Sequence, residues 1–202
     1  MAGSDTKEKV LNVAEELFAQ QGYRATSLRA ITSAAEVNLA AVNYHFGGKE
    51  ALVEAVISRR LVTLNDQRAA RLLAVRAEAE AAGRRVETGA VLLAFVEPTL
   101  LFPQSGAGAR NFITLVGRAM ADPDETARRI FMRLMQPVLQ LFAELLAEAQ
   151  PELPPEVLYW RLNFVIGALS HAMRGIDRCP LPLDIAAAKS APDLVRLLTD
   201  FL

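Results

Sequence analysis

The sequence predicts an all-α protein of about nine helices, and two observations support that class. Apolar residues recur at helical spacing along almost the whole chain, and clusters of glycine, proline and polar residues separate the helical segments. Hydrophobic residues make up 52% of the 202 residues and charged residues 22%, a composition typical of a folded chain and not of a disordered one.

The first three predicted helices are short enough to be placed by their ends. The first is expected to start at a cap supplied by Ser4, Asp5 or Thr6 and to end at Gly22, with an apolar face formed by Val10, Ala14, Leu17 and Phe18. Thr26 or Ser27 should cap the second helix and Asn38 the third, because such side chains accept hydrogen bonds from free N–H groups at a helix start. A Gly-Gly pair then precedes a fourth helix, which begins at Lys49 and extends to about residue 82.

The remaining chain is more apolar and predicts further helices near residues 86–100, 106–121, 124–149, 155–178 and 191–201. Pro137 lies inside one of them, where it should kink the helix or leave one carbonyl without a donor. We therefore predict a small N-terminal domain over residues 1–52, with the start of the fourth helix, and a larger C-terminal helical domain over residues 53–202.

The second and third helices have the pattern of a helix-turn-helix unit, whose core would be apolar: Leu17, Phe18, Leu28, Ile31, Val37, Val42 and Phe46. The outward residues of the third helix suit a DNA groove, with Leu39 and Ala40 against thymine methyls and Asn43 at a base edge or phosphate. The flanking residues suit phosphate contacts: Thr26, Arg29, Tyr44, His45 and Lys49.

Charge does not favour this reading over a plain helical subdomain, which stays open on spacing alone. Seven basic residues in the first 60 positions are opposed by seven acidic ones, and the whole chain has a net charge of −1. DNA binding would therefore depend on the placement of individual side chains and not on a broad basic field.

An ordered set of short matches resembles the DNA-binding domain of the TetR family of bacterial transcriptional regulators: Ala14-Glu15-Glu16-Leu17-Phe18, Gly22-Tyr23, Thr26 to Ile31, Val37 to Phe46 and Lys49 to Leu52. The resemblance implies a dimer whose N-terminal helices bind operator DNA and whose C-terminal helices bind an effector. It implies phosphate contacts for Thr26, Tyr44, His45 and Lys49. It also implies that the recognition helix presents Leu39, Ala40, Ala41 and Asn43. Glu36 departs from the family's usual turn glycine, at a cost of ~1 kcal/mol if its backbone is left-handed.

The C-terminal domain carries aromatic, Met and polar residues that line either an effector cavity or a solid core. The candidates for an effector site are Phe95, Asn111, Phe112, Arg118, Phe131, Met135, Phe164 and His171. Arg118 is placed to pair with a ligand carboxylate, or else to extend its head to solvent or bridge to Glu97 or Asp122. By the resemblance, the last two helices form the dimer interface, and short matches are also similar to the family's fatty-acid-responsive members.

The sequence therefore predicts a cytoplasmic, homodimeric, ligand-responsive repressor, released from DNA by a small apolar effector such as a fatty acid or acyl thioester. The alternative is a helical lipid- or acyl-binding protein without DNA function. No enzyme, cofactor, metal or membrane role is expected. The two histidines lie in different predicted domains, which does not favour a catalytic or metal site. The longest uncharged runs are about 12 residues, too short to span a bilayer, and no secretory signal is visible. Cys179 is the single cysteine, so no internal disulfide is expected.

Overall fold

A computed structural model describes residues 2–120 and 122–173, together with positions 193, 196 and 197. Over these residues the protein is all-α, with no strand, which confirms the predicted fold class. The described helices are α1 (Ala2–Gln21), α2 (Leu28–Ala34), α3 (Leu39–Phe46), α4 (Lys49–Ala81), α5 (Thr88–Leu101), α6 (Ala107–Ala119), α7 (Thr126–Ala149) and α8 (Pro155–Met173), with a 3-10 turn at Phe102–Ser105. The predicted helix near residues 191–201 lies almost wholly outside the described residues.

The observed helix ends follow the local sequence, with one exception. Ser27 caps α2 through a hydrogen bond accepted from Ala30 N, and Asn38 caps α3 in the same way. α4 begins at Lys49, as predicted. The predicted cap of α1 is wrong, because α1 already begins at Ala2, ahead of the three candidate residues.

The first compact unit comprises residues 1–62 and 104–134. Within it α1 packs against α2, α3 and α6. Its core is apolar and largely closed to solvent, with fully buried side chains contributed by successive helices: Val10, Phe18, Ile31, Val42, Leu52, Val53, Val56 and Ile57. α6 is thus packed with the N-terminal helices, so the units divide the chain differently from the predicted boundary at residue 52. That boundary remains a functional prediction.

The second compact unit comprises residues 63–103 and residues from 135 onward. Within it α5 packs against α8. The rings of Phe95 and Phe142 stack with centroids 4.2 Å apart, and α4 adds Leu64 and Leu72 to the same unit's buried set. Segments of both α4 and α7 belong to each unit.

α7 continues through the exposed Pro137. Proline has no N–H, so Pro137 cannot donate the helical hydrogen bond to the carbonyl of Arg133. α7 is long and apolar enough to cross a membrane by length and composition, although core helices of soluble proteins meet the same criteria. In the structure, α7 buries Phe142 fully and pairs the exposed Arg133 with Glu54.

Candidate functional site

α2 and α3 form a helix-turn-helix whose turn depends on one left-handed residue. Val37 N donates to Thr32 O at 3.0 Å, which closes the turn after α2. Glu36 has φ 55°, so the left-handed conformation considered for this position from the sequence is present. Glycine adopts this conformation without steric cost, whereas a residue with a Cβ is strained there. The turn is therefore built at some expense in stability, and the Glu36 side chain is exposed.

The outward surface of α3 is the candidate recognition surface. Leu39 is 41% exposed and Tyr44 86%, and Ala40 and Asn43 are also exposed. On the opposite side of α3, Val42 is fully buried. Exposing the apolar surface of a large aromatic side chain to water is unfavourable. Aromatic side chains that are almost completely exposed are typical of binding surfaces.

The two remaining predicted residues of α3 lie at the border of that surface. Ala41 and His45 are half-buried. The rings of Tyr44 and His45 meet edge to face, with centroids 5.1 Å apart. This contact holds the Tyr44 ring against the His45 ring, and the Tyr44 hydroxyl remains available for binding. The small Ala41 side chain allows another molecule to approach the helix backbone closely.

Lys49, in the first turn of α4, is already engaged within its own unit. Its Nζ donates to Arg24 O at 3.4 Å and lies 4.4 Å from the centroid of the Tyr23 ring. Burial lowers the pKa of Lys49, while the nearby Asp124 and Asp122 act in the opposite direction. A phosphate contact by Lys49 would therefore replace a weak backbone hydrogen bond.

Thr26 and Arg29, the predicted contacts to the opposite phosphate strand, are placed differently from each other. Thr26 is 1% exposed, and its hydroxyl donates to Gly22 O at 2.8 Å and to Leu17 O. This arrangement ties the end of α1 to the start of α2 and argues against a side-chain phosphate contact by Thr26. Arg29 is exposed on α2 and remains available.

A buried ion cluster, not anticipated from the sequence, connects three helices of the first unit. The Glu15 carboxylate, 3% exposed, accepts hydrogen bonds from Arg59 and from both Nε and Nη2 of Arg60. Gly108 of α6 lies directly against the Arg60 guanidinium, where a Cβ would collide with it. The cluster thereby joins α1, α4 and α6. The sequence feature that indicates this cluster is the spacing of Glu15, which follows the apolar Leu11 by four residues and therefore lies on the same side of α1.

The structure distributes the predicted effector residues between the two units. Four belong to the first unit, where Phe112 is buried, Asn111 and Phe131 are half-buried and Arg118 is exposed. In the second unit, Phe164 (65% exposed) and His171 lie on the exposed surface of α8. These two are therefore poorly placed to line a closed effector cavity.

Phe95 and Met135 are the two predicted effector residues that the structure brings together. Both are buried, and both contact Arg68 of α4. Arg68 was not anticipated, although it lies midway between Leu64 and Leu72 on the buried side of the helix. It is 4% exposed.

α8 carries an exposed aromatic strip, defined by Tyr159, Trp160 and Phe164. Their exposed fractions are 60%, 53% and 65%. Trp160 contacts both other rings, with centroids 5.6 Å and 6.3 Å away. An exposed cluster of three large aromatic side chains on one helix is typical of a protein–protein interface.

A capped helix-turn-helix with one exposed helix face, followed by an apolar helical region, defines a DNA-binding transcriptional regulator. Residues 10–56 match the family model described as "Bacterial regulatory proteins, tetR family". Residues 93–202 match the model described as "Tetracyclin repressor-like, C-terminal domain". The chain belongs to the TetR family of bacterial regulatory proteins. This assignment favours the regulator over the lipid-binding alternative, and the family consists of transcriptional regulators, which are generally not enzymes.

Two curated relatives each resemble about a quarter of the chain. The protein named "Probable HTH-type transcriptional regulator YttP" from Bacillus subtilis is 43% identical over 53 residues, which is 26% of each chain. The HTH-type transcriptional regulator UidR from Escherichia coli is 35% identical over 52 residues, again 26% of each chain. The match thus spans about a quarter of these relatives.

Solved structures resemble nearly the whole chain. The fatty acid degradation regulator FadR from Bacillus halodurans has a TM-score of 0.69 at 14% identity, over 97% of this chain and 93% of its own. AibR, solved in complex with isovaleryl coenzyme A and operator DNA, has a TM-score of 0.68 at 16% identity, over 98% and 97%. At these identities the likeness shows the shared fold.

Proposed function

We propose that the protein is a homodimeric repressor that binds a near-palindromic operator and is released by a small effector with an apolar body. The observation that carries the DNA part is the exposed face of α3, with Tyr44 86% exposed beside a buried, capped helix-turn-helix core. AibR, whose fold this chain shares, was solved with operator DNA and an acyl thioester, and FadR regulates fatty acid degradation. Those relatives support an acyl or fatty-acid effector. As for the family in general, the proposed site of action is the cytoplasm.

In this proposal the α3 side chains divide into two groups. Leu39, Ala40 and Ala41 form a low apolar surface against thymine methyls, with Asn43 at a base edge. The phosphate contacts come from residues around the edge of this surface: Arg29, Tyr44, His45 and Lys49. Thr26 contributes by fixing the α1–α2 junction, because its single hydroxyl proton is shared between the carbonyls of Gly22 and Leu17.

Replacement of Tyr44 or Lys49 by Ala tests these phosphate contacts. Each variant should bind the operator more weakly. The slope of log K against log salt should fall by about one only for Lys49→Ala, because a charged side chain displaces a counterion from the phosphate and the neutral Tyr44 hydroxyl does not. Arg85→Ala is the matched control for Lys49, because it removes a positive charge from an exposed pair with Glu152. Variants that stay folded and keep the wild-type affinity and salt slope would exclude these contacts.

The aromatic strip on α8 is the proposed dimer surface, together with the predicted last helix, most of which lies outside the described residues. Burial of Trp160 and Phe164 between two subunits would remove large apolar side chains from water. Trp160→Glu should therefore yield monomers in sedimentation at micromolar concentration, while Met132→Glu, at an exposed site on α7, should leave the dimer intact. A dimer of unchanged affinity in the Trp160 variant would place the interface elsewhere.

A further inference from the structure

Arg68 is a positive charge buried among neutral groups. Its Nε and Nη2 donate to the Thr99 hydroxyl, and its Nη1 donates to Asn65 Oδ1 at 2.8 Å and to Met135 Sδ at 3.4 Å. The guanidinium carbon lies 4.8 Å from the centroid of the Phe95 ring. None of these partners carries a negative charge.

Other arginines on α4 have the counter-ion that Arg68 lacks. Arg71 pairs with Glu97 and Arg76 with Glu148, in both cases toward solvent. Among the described residues no carboxylate forms an ion pair with Arg68, and burial alone lowers its pKa to about 9. The group is thus still cationic at neutral pH, and a buried cation without an anion is expensive.

A stronger acceptor would also improve the hydrogen bonding of Arg68. A guanidinium has five N–H donors, of which the neutral partners take one on Nε, two on Nη1 and one on Nη2 within the described chain. One of these partners is a thioether, which is a weak acceptor on a flexible side chain. A carboxylate that displaced Met135 would gain charge-assisted hydrogen bonds and supply the missing negative charge.

We infer that Arg68 is the anchor for the carboxylate of an effector that is an apolar free acid. The inference rests on the proposed effector-controlled function and restricts the class of effector to free acids. A free acid carries its negative charge on the carboxylate that Arg68 would bind, whereas the thioester carbonyl of an acyl thioester is neutral. Phe95 and Met135, already predicted as effector residues, supply apolar contacts next to the head. Thr99 holds the guanidinium in place, since its hydroxyl in turn donates to Phe95 O at 3.2 Å.

Thermal melting with matched probes tests this site. The probes are straight-chain acids of graded length, the corresponding 1-alkanols, alkyl phosphates and acyl-coenzyme A thioesters. At least one acid should raise the melting temperature of the wild-type protein saturably and release it from operator DNA, while the alkanol of equal length gives little shift. Arg68→Met should stay folded, bind operator DNA like the wild type and lose at least tenfold in affinity for that acid. Arg68→Lys, which keeps the charge, should retain part of the response.

Several outcomes overturn the inference without touching the DNA function. These are equal shifts by acid and alkanol, an acid response that Arg68→Met keeps in full, a response to alkyl phosphates or thioesters in place of acids, and no shift by any acid. In each case operator binding by the wild-type protein is measured separately. Failure to bind any operator would instead contradict the proposed function.

Discussion

Replacement of Glu15 by Ala should destabilise the first compact unit strongly, because it breaks a buried ion cluster at its centre. Glu15 is 3% exposed, and it provides the hydrogen-bond acceptors of Arg60, whose side chain is 33% exposed. Arg59 would keep Asn12 at 2.8 Å and Glu8 at 3.4 Å. Removing one member of a buried pair costs about 3–5 kcal/mol because the other charge is left uncompensated.

Partial exposure of both arginines places the Glu15→Ala cost near the lower end of that range, at about 3 kcal/mol. For a chain of this length that corresponds to a fall in melting temperature of about 6–12 °C. The assay is urea denaturation and thermal melting followed by circular dichroism. Glu16→Ala is the matched control, since Glu16 is exposed on the same helix and accepts one hydrogen bond from Gln20. A Glu15 variant within about 1 kcal/mol of the wild type, the range of an exposed pair, would refute the role assigned to this cluster.

Two smaller effects are expected in the helix-turn-helix. Glu36→Gly relieves about 1–2 kcal/mol of left-handed strain and adds about 0.5–1 kcal/mol of chain entropy cost, so the melting temperature should rise slightly, and a clear fall would contradict the strain argument. Asn38→Ala removes the hydrogen bond accepted from Ala41 N at 2.7 Å and should cost about 1 kcal/mol and weaken operator binding. Asn38→Asp keeps the cap and should restore stability; equal losses in both variants would mean that capping is not the cause.

The sequence was most informative where structure is decided locally. The caps depend on neighbours a few residues away: Ser27 is the cap of the two candidates for α2, and Asn38 caps α3 as predicted. The left-handed Glu36, raised from the sequence only as a condition, is also present. The fold class followed from helical periodicity in the same way. The exposed face of α3 was also predictable, because Val42 and Phe46 fixed which side points to the core.

Long-range packing decided what the sequence did not reveal. Thr26 was predicted as a candidate cap and phosphate contact, but it is buried, and its hydroxyl donates chiefly to the carbonyl of Gly22, just after α1. The pairing of Glu15 with Arg60 joins residues 45 positions apart. Arg68 interrupts an apolar helix face, and hydrophobic periodicity can reveal that interruption. The periodicity does not show that the side chains packed against Arg68 are neutral, such as Thr99 and Met135.

The central claim is that this chain reads an operator through α3 as a dimer. Selection of bound duplexes from a random DNA library by the purified protein tests it most directly. The expected result is one enriched near-palindrome with half-site centres roughly 34–36 Å apart, about one helical turn, which Tyr44→Ala binds more weakly than the wild type does. Enrichment of no sequence, of a single unrepeated half-site, or of the same palindrome by the Tyr44 variant at equal affinity would contradict it.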